Sequence, residues 1–180
     1  MGDYPGNPLA ADADCPEPCP GLQQMARLLH LAEMAIGAVG VFSGFYLLSD
    51  DPKLALRIVT GSCVGLVGTL AFVRHVLLHR SDAARLGWHT DRPDWQFEVG
   101  FANLAFGSTA LLVALRLPSF PAFFALLCAY PVYLGQAAVL HLHRYLTDER
   151  PSSARLWDSA PGTALFAAML GILTVRALRG

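Results

Sequence analysis

The chain has 180 residues, enough for one helical bundle with short loops but not for a second domain. It is 54% hydrophobic and only 15% charged, with a mean hydropathy of +0.42, whereas soluble domains are about 25% charged. These values predict a membrane protein, and a formal net charge of −1 creates no field that favours nucleic acid.

Residues 1–26 are predicted to form a polar N-terminal tail, and residues 27–180 a transmembrane helical bundle. The first residues are acidic and rich in proline, without a basic start and a short apolar run, so we expect no signal peptide. Cys15 and Cys19 lie in the tail at a spacing that is poor for zinc or redox chemistry. Cys63 and Cys128 lie in apolar stretches, where they are expected to pack as small apolar residues.

Five apolar segments follow the tail, and each approaches the ~20 residues that a helix needs to cross a bilayer. They are Leu28–Leu48, Leu54–Leu78, Phe97–Leu117, Phe120–Leu140 and Ser159–Ala177. The sequence therefore predicts an all-α integral membrane bundle of five transmembrane helices, or of four if the last segment does not span. Pro118 and Pro121 separate the third and fourth segments by a tight turn, so these two are expected to be antiparallel neighbours.

Orientation is predicted from the basic residues near the segment ends. Eight arginines fall on the side of the tail, namely Arg27, Arg74, Arg80, Arg85, Arg92, Arg144, Arg150 and Arg155. Five basic residues fall on the other side, namely Lys53, Arg57, Arg116, Arg176 and Arg179. This bias predicts a multi-pass protein of the cell membrane with a cytoplasmic N-terminus. The predominance of arginine over lysine, with the high Ala and Leu content, indicates a bacterial source.

Two glycine seams lead directly into ionisable residues. One runs through segment 1 as His30, Glu33, Gly37, Gly40 and Gly44. The other runs through segment 2 as Gly61, Gly65, Gly68, Phe72, His75 and His79. Small residues allow membrane helices to approach closely, so both seams and the polar residues that continue them are expected to face the bundle interior.

Segments 3 and 4 add further polar residues. Gln96, Gly100, Asn103 and Gly107 share one stripe of segment 3, and Glu98 lies at a wide angle from it. Segment 4 offers two alternative stripes, of which only one can point squarely at the core. One is Tyr133, Gln136, Leu140 and His143, and the other is Tyr130, Leu134, Ala137 and His141.

The run WQFEVGFANLAFG, residues 95–107, resembles the signature of a family of small bacterial and archaeal membrane proteins of unknown function. That pattern is Phe-Gln-x-Glu-x-Gly-x-x-Asn/Asp-Leu-x-x-Gly, followed by a Gly-x-x-x-x-His and by an Asp before the last segment. Here the spacing from Gly135 to His141 is one residue longer, and Asp158 corresponds to the late Asp. The resemblance covers segments 3 to 5 and draws attention to Glu98, Asn103, His141 and Asp158, but it implies no activity.

The ionisable residues of all five segments are predicted to converge at the tail-side boundary. Carboxylates gathered at low dielectric must be protonated or neutralised by a cation. One such cation is a metal ion. The spacing His75-x-x-x-His79 is one that metal-binding histidines use, and a mixture of His and carboxylate ligands suits iron, zinc or manganese. The candidate ligands are Glu33, His75, His79, Glu98, His141 and Asp158, with His30, Asn103, Gln136 and His143 as further interior polar residues. The other available cations are Arg74 and Arg144.

Three functions remain open at this point. The predicted cluster is a transition-metal site with redox or hydrolytic chemistry, or it serves proton-coupled transport, or the chain is a non-catalytic accessory subunit of a larger membrane complex. The middle of the membrane is filled with Gly, Ala, Leu and Val, which argues against an ion pathway across the whole bilayer. The partners expected are the lipid bilayer and either another membrane protein or a second copy of the chain, with no nucleic acid.

Overall fold

The computed structural model describes residues 20–86, 93–147 and 153–179, and for Leu86 and residues 153–159 the backbone alone. Every regular element in these ranges is helical. The helices are α1 (Pro20–Leu47), α2 (Pro52–Leu77), α3 (His79–Leu86), α4 (Asp94–Leu115), α5 (Phe120–Thr147) and α6 (Ser153–Arg179). All except α3 contain a stretch long and apolar enough to cross a membrane, which in α6 is Ala160–Arg179.

The predicted five-helix membrane bundle is confirmed, and its last segment is among the five candidate spans. The helices extend beyond the predicted apolar segments. α1 begins at Pro20, within the stretch predicted to be a tail, and α5 continues to Thr147. Since α4 ends at Leu115 and α5 begins at Phe120, these two helices are joined by a short turn and run antiparallel.

α2 is not a regular α-helix along its length. Asp51 caps its start by accepting a hydrogen bond from the Leu54 backbone N–H at 2.9 Å. Two wide π-helical stretches, Thr60–Leu66 and Val73–Leu77, then interrupt it. A π turn holds more residues than an α turn, so it rotates everything that follows about the helix axis. The faces of α2 therefore cannot be projected along its length at 3.6 residues per turn.

The two glycine seams face the interior as predicted. In α1, a Cβ at Gly40 would collide with Ser62 and Cys63 of α2. Between α2 and α4 the contact is of backbone against backbone, because a Cβ at Gly68 would lie 2.9 Å from the carbonyl oxygen of Asn103. A Cβ at Gly107 would lie 2.8 Å from the backbone nitrogen of Thr69. These glycines let α2 and α4 approach to a distance that no other residue permits.

The apolar core fills the half of the bundle away from the tail. Its fully buried members include Leu56 and Val59 of α2, with Phe123, Leu127, Leu170 and Leu173 of α5 and α6. Large apolar side chains cover the outside, and two of them, Phe42 and Tyr46 of α1, are more than 70% exposed. Apolar side chains can face outward in a membrane protein because the surrounding lipid tails are as apolar as the protein core.

The close packing of the glycines predicts that two Gly→Ala substitutions differ in their effect on the free energy of unfolding. Gly107→Ala should lower the stability of the bundle by about 1–3 kcal/mol, because the backbone of α2 cannot retreat from the new methyl group. Gly171→Ala is the matched control in α6, where a Cβ meets nothing within 4 Å. There the gain in helix propensity should leave stability unchanged or slightly higher. Thermal unfolding of both variants in one detergent measures the difference, and equal behaviour would contradict the close contact.

Candidate functional site

Buried charges meet at the tail-side end of the bundle, where α1, the end of α2 and α3 come together. Arg74 lies in the second π-helical stretch of α2, and its side chain is buried between α1 and α3. Glu33 is supplied by the glycine face of α1. Asp82 lies on α3 and is completely buried. Five residues form what we call the ion network: Glu33, Arg74, His75, Asp82 and Arg85.

Arg74 is the centre of the ion network. Its Nε and Nη2 donate to the two carboxylate oxygens of Glu33 at 3.0 and 3.1 Å, in the parallel two-bond geometry that suits a guanidinium. Its Nη1 donates to Asp82 Oδ1 at 2.7 Å. A single side chain of α2 therefore joins α1 to α3.

Asp82 receives more than one cationic partner. Arg85, one turn further along α3, donates to Asp82 Oδ1 from Nε and Nη2, both at 3.2 Å. On the other side of the carboxylate, His75 Nδ1 lies 3.0 Å from Asp82 Oδ2. Two arginines and one histidine therefore surround this buried carboxylate.

The charges of the ion network cancel. Glu33 and Asp82 contribute two negative charges, and Arg74 and Arg85 two positive charges, when His75 is neutral. Burial by itself would raise the pKa of the Asp82 carboxyl, but the positive charge of Arg74 and the contacts with His75 and Arg85 outweigh it. They hold the pKa of Asp82 well below its ordinary range, so this carboxyl stays ionised at every physiological pH.

Several residues predicted from the sequence are gathered at this end. Glu33 and His75 belong to the ion network. His30 of α1 lies one turn before Glu33, with its Nδ1 3.8 Å from Glu33 Oε2. His141 of α5 is partly buried and interacts electrostatically with His75, Arg74 and Asp82. Of the two alternative stripes of α5, the one with Tyr130 and His141 faces the bundle.

Other predicted residues lie elsewhere. The prediction that Glu98 faces the interior is wrong, since its side chain is exposed; the buried face of α4 is instead Gln96, Gly100, Asn103 and Gly107. Gln136 and His143 are likewise exposed, on the face of α5 that turns away from Tyr130. The side chain of Asp158 lies outside the described residues, as do Cys15 and Cys19.

His75 and His79 do not share one helix face, contrary to the prediction. α2 ends at Leu77, and Leu78 has φ −117° and ψ 28°, outside the helical range. His79 therefore begins a new helix, α3. Its ring packs edge-on against Phe97 at 5.1 Å, and its Nδ1 lies 3.2 Å from the Val76 carbonyl oxygen.

Asn103 belongs to a second polar group, deeper along α4 than the ion network. Its amide nitrogen donates to the Tyr133 hydroxyl at 2.7 Å and to the Val99 carbonyl at 2.9 Å. Its amide oxygen accepts from the Tyr130 hydroxyl at 3.3 Å. The rings of Tyr130 and Tyr133 also pack on Phe106. The hydrogen bonds of Asn103 are satisfied within the protein, which is what a polar residue in a membrane helix requires.

Sequence reasoning missed Asp82 and Arg85 as members of the ion network. Asp82 and Arg85 are three residues apart and so lie on one face of a helix, but they lie in the polar stretch between the second and third apolar segments, where no helix was predicted. Gln96 was placed on the correct stripe, and the structure adds its partner: Nε2 donates to the His79 carbonyl at 3.0 Å. Of the two arginines considered as cations, Arg74 has this role, whereas Arg144 lies over the Trp95 ring at 5.5 Å.

No group of three or more His, Cys, Asp or Glu side chains in the described ranges is arranged to hold a metal ion. The reason is visible in the ion network. Both Glu33 oxygens and Asp82 Oδ1 accept hydrogen bonds from guanidinium groups, and Glu98, a proposed further ligand, is exposed. Guanidinium groups therefore supply the neutralising charge that the carboxylates need.

The model of a protein family of unknown function (DUF6790) matches residues 28–177. This range includes all five candidate spans except the first turns of α1 and the last residues of α6, and the chain belongs to this family. The predicted resemblance to a membrane protein family of unknown function is thereby confirmed. No curated protein and no solved structure matches the chain.

The low pKa of Asp82 predicts how its stabilising effect depends on pH. A carboxyl with a folded-state pKa below its ordinary value of 3.8 contributes stability that is complete above that pH and is lost as the pH falls further. The gap in unfolding temperature between the wild type and Asp82→Asn should therefore stay constant from neutral pH to about pH 5. It should shrink only in stronger acid.

Asp50→Asn is the matched control, because this exposed side chain lies at the opposite end of the bundle and accepts a hydrogen bond from the neighbouring Ser49 hydroxyl at 3.3 Å. Its unfolding temperature should follow that of the wild type at each pH. A wild-type advantage over Asp82→Asn that disappears between pH 7 and pH 5 would contradict the ionised, paired state of Asp82.

Proposed function

We propose that this chain is a non-catalytic accessory component of a membrane protein complex, and that the ion network serves to fix its helices. The observation that carries the proposal is Arg74, which bridges Glu33 of α1 and Asp82 of α3. The ion network thereby fixes the positions of α1, α2 and α3 relative to one another. The chain then offers its membrane-facing surface and its tail-side end to partners.

The transition-metal alternative rested on the need to neutralise clustered carboxylates. Arg74 and Arg85 meet that need with contacts of 2.7–3.2 Å. An iron, zinc or manganese ion at Glu33 and Asp82 must displace guanidinium groups that are already desolvated and paired. Removing one partner of a buried ion pair is strongly unfavourable, so these contacts oppose metal entry.

The packing of the helices argues against proton-coupled transport. The polar residues between the ion network and the opposite end include Asn103, Tyr130 and Tyr133, which hydrogen-bond to one another and to the α4 backbone. At this level α2 and α4 are in backbone contact through Gly68 and Gly107. A transport route needs polar or broken helices that line a path, and this part of the bundle is tightly packed.

We further propose that the tail-side end faces the cytoplasm of a bacterial cell, from the eight basic residues there against five. Membrane-impermeant thiol labelling tests this on single cysteines in a cysteine-free background. Ser49→Cys and Gly180→Cys should be labelled from outside the cell, and Thr147→Cys only after the membrane is opened. Labelling of Ser49→Cys and Gly180→Cys from the cytoplasmic side alone would overturn the orientation.

The structural role predicts a large effect for the central arginine. Arg74→Met leaves two buried carboxylates without their shared partner, and should destabilise the protein by about 3–5 kcal/mol. Arg116→Met, at the exposed end of α4, is the control and should change stability by less than about 0.5 kcal/mol. Thermal unfolding measures both, and elemental analysis of the wild type should find no stoichiometric iron, zinc or manganese.

Two outcomes would overturn the proposal. About one equivalent of metal per chain in the wild type, lost in Glu33→Ala and His75→Ala, would support the transition-metal alternative instead. A wild type that migrates only as a monomer of 19.4 kDa, after mild solubilisation from its native membrane, would remove the accessory role. Under the proposal it migrates in a larger particle that contains a second polypeptide.

A further inference from the structure

Gln136 places an uncharged amide on the outer surface of α5, at a depth where only lipid tails surround the protein. α5 has 28 residues, and the side chain of Gln136 is exposed. A helix needs about 20 residues to cross the hydrocarbon, and every window of that length in α5 includes residues 128–139. Gln136 therefore lies in the hydrocarbon whichever part of α5 spans it.

The polar groups that α5 turns towards the protein are satisfied there. The Tyr133 hydroxyl donates to a backbone carbonyl of α4 at 3.2 Å. The Thr174 hydroxyl of α6 donates at 3.3 Å to the carbonyl of Leu127, which Pro131 leaves without its helical donor. Gln136, by contrast, forms no hydrogen bond with any residue in the described ranges. An amide that faces lipid tails without a partner is strongly unfavourable, so its partner must come from outside this chain.

Gln136 belongs to a line of exposed residues that is suited to packing against another helix. We call this line the outer row of α5, and its members are Ala125, Ala129, Val132, Gln136 and Val139. Steps of four and three residues alternate along it, as they do along the seam of two helices in a coiled coil. Apart from Gln136, no member is larger than valine, so a second helix can approach closely. The outward face of α1 instead carries large side chains such as Phe42 and Tyr46, which suit contact with lipid.

The chemistry of the outer row favours a second copy of this chain as the partner. Copies that are inserted in the same direction are related by a twofold axis along the membrane normal, so a residue near the axis meets its own counterpart. A group in that position must be able to bond to itself. A primary amide can do so, because its nitrogen donates and its oxygen accepts, whereas two like charges would repel each other. α5 has no Asp, Glu, Lys or Arg before Arg144, so no charge opposes the contact.

We propose that two copies of this chain associate through the outer row of α5, with the Gln136 amides of the two copies hydrogen-bonded to each other. The amide oxygen of each copy accepts from the amide nitrogen of the other, so both groups are paired within the hydrocarbon. This single polar contact also sets the register of the two helices, as a buried amide does in a coiled coil. The inference is independent of the accessory role, because a twofold contact requires no second kind of polypeptide.

Disulfide cross-linking of the whole chain in its native membrane tests the contact. On oxidation, Val132→Cys in an otherwise cysteine-free chain should give a species of twice 19.4 kDa that contains this chain alone. Such a bond requires the two Cα atoms to lie about 4.4–6.8 Å apart. Val39→Cys of α1 is the matched control, because Val39 also lies in a candidate span and is 66% exposed, against 64% for Val132. The control should remain monomeric, and cross-linking of Val132→Cys no greater than that of Val39→Cys would overturn the proposal.

A second measurement isolates the amide. Gln136→Met keeps the length of the side chain and removes its hydrogen bonds, and the exposed position means that the fold should be unaffected. Energy transfer between labelled copies in lipid vesicles should show association roughly 5- to 30-fold weaker than in the wild type, as expected for the loss of hydrogen bonding between membrane helices. Ser108→Ala is the matched control on α4, because this exposed hydroxyl already donates to the Ala105 carbonyl at 3.4 Å. It should associate like the wild type.

The outcomes separate this inference from the proposed function. Cross-linking of Val132→Cys together with weaker association of Gln136→Met supports the self-association. Unchanged association of Gln136→Met overturns it, whatever the cross-linking shows. A second polypeptide that co-purifies with the chain while Val132→Cys does not cross-link also overturns it, and leaves the accessory role in place. Cross-linked copies without a second polypeptide support the self-association and contradict the accessory role.

Discussion

The guanidinium group of Arg74 is the constraint on which the tail-side half of this molecule depends. A charged side chain at a membrane boundary must be solvated or paired, and the burial of Arg74 leaves pairing as the only option. Its planar fork has donors in fixed directions, so its partners must come from opposite sides. Glu33 of α1 takes one edge and Asp82 of α3 takes the other. The positions of α1 and α3 relative to α2 follow from this geometry.

The π-helical stretches of α2 connect this charge pairing to the close packing of the helices. Val73–Leu77 presents two consecutive residues, Arg74 and His75, to the same buried carboxylate, which a wide helical turn makes easier than a regular one. Further along, the contact of Gly68 with α4 fixes the distance between the two helices. Because that contact is of backbone against backbone, it tolerates little sliding, and the ion network is built on a rigid frame.

The sequence was sufficient to predict the membrane-spanning helices and the direction of their glycine faces. Hydropathy and length identify membrane helices because lipid forces all backbone groups into internal hydrogen bonds. The spacing of Gly37, Gly40 and Gly44 predicted the interior face of α1, and with it the inward direction of Glu33. The same projection failed for His79, because it assumed 3.6 residues per turn through two π stretches and through the break at Leu78. Helix irregularities of this kind depend on tertiary packing and carry no periodic signal.

The chemistry of the site was harder to predict than its place, for a reason that concerns charge. Electrostatics required a cation beside the buried carboxylates, but it does not distinguish a metal ion from a guanidinium, since both cancel the same charge. The distinction depends on pairing in space, and the deciding residue, Asp82, lies on a short polar helix outside the apolar segments. With Asp82 included, two carboxylates face two guanidinium groups, and the charges balance within the protein. A site that balances its own charges needs no ion to fold.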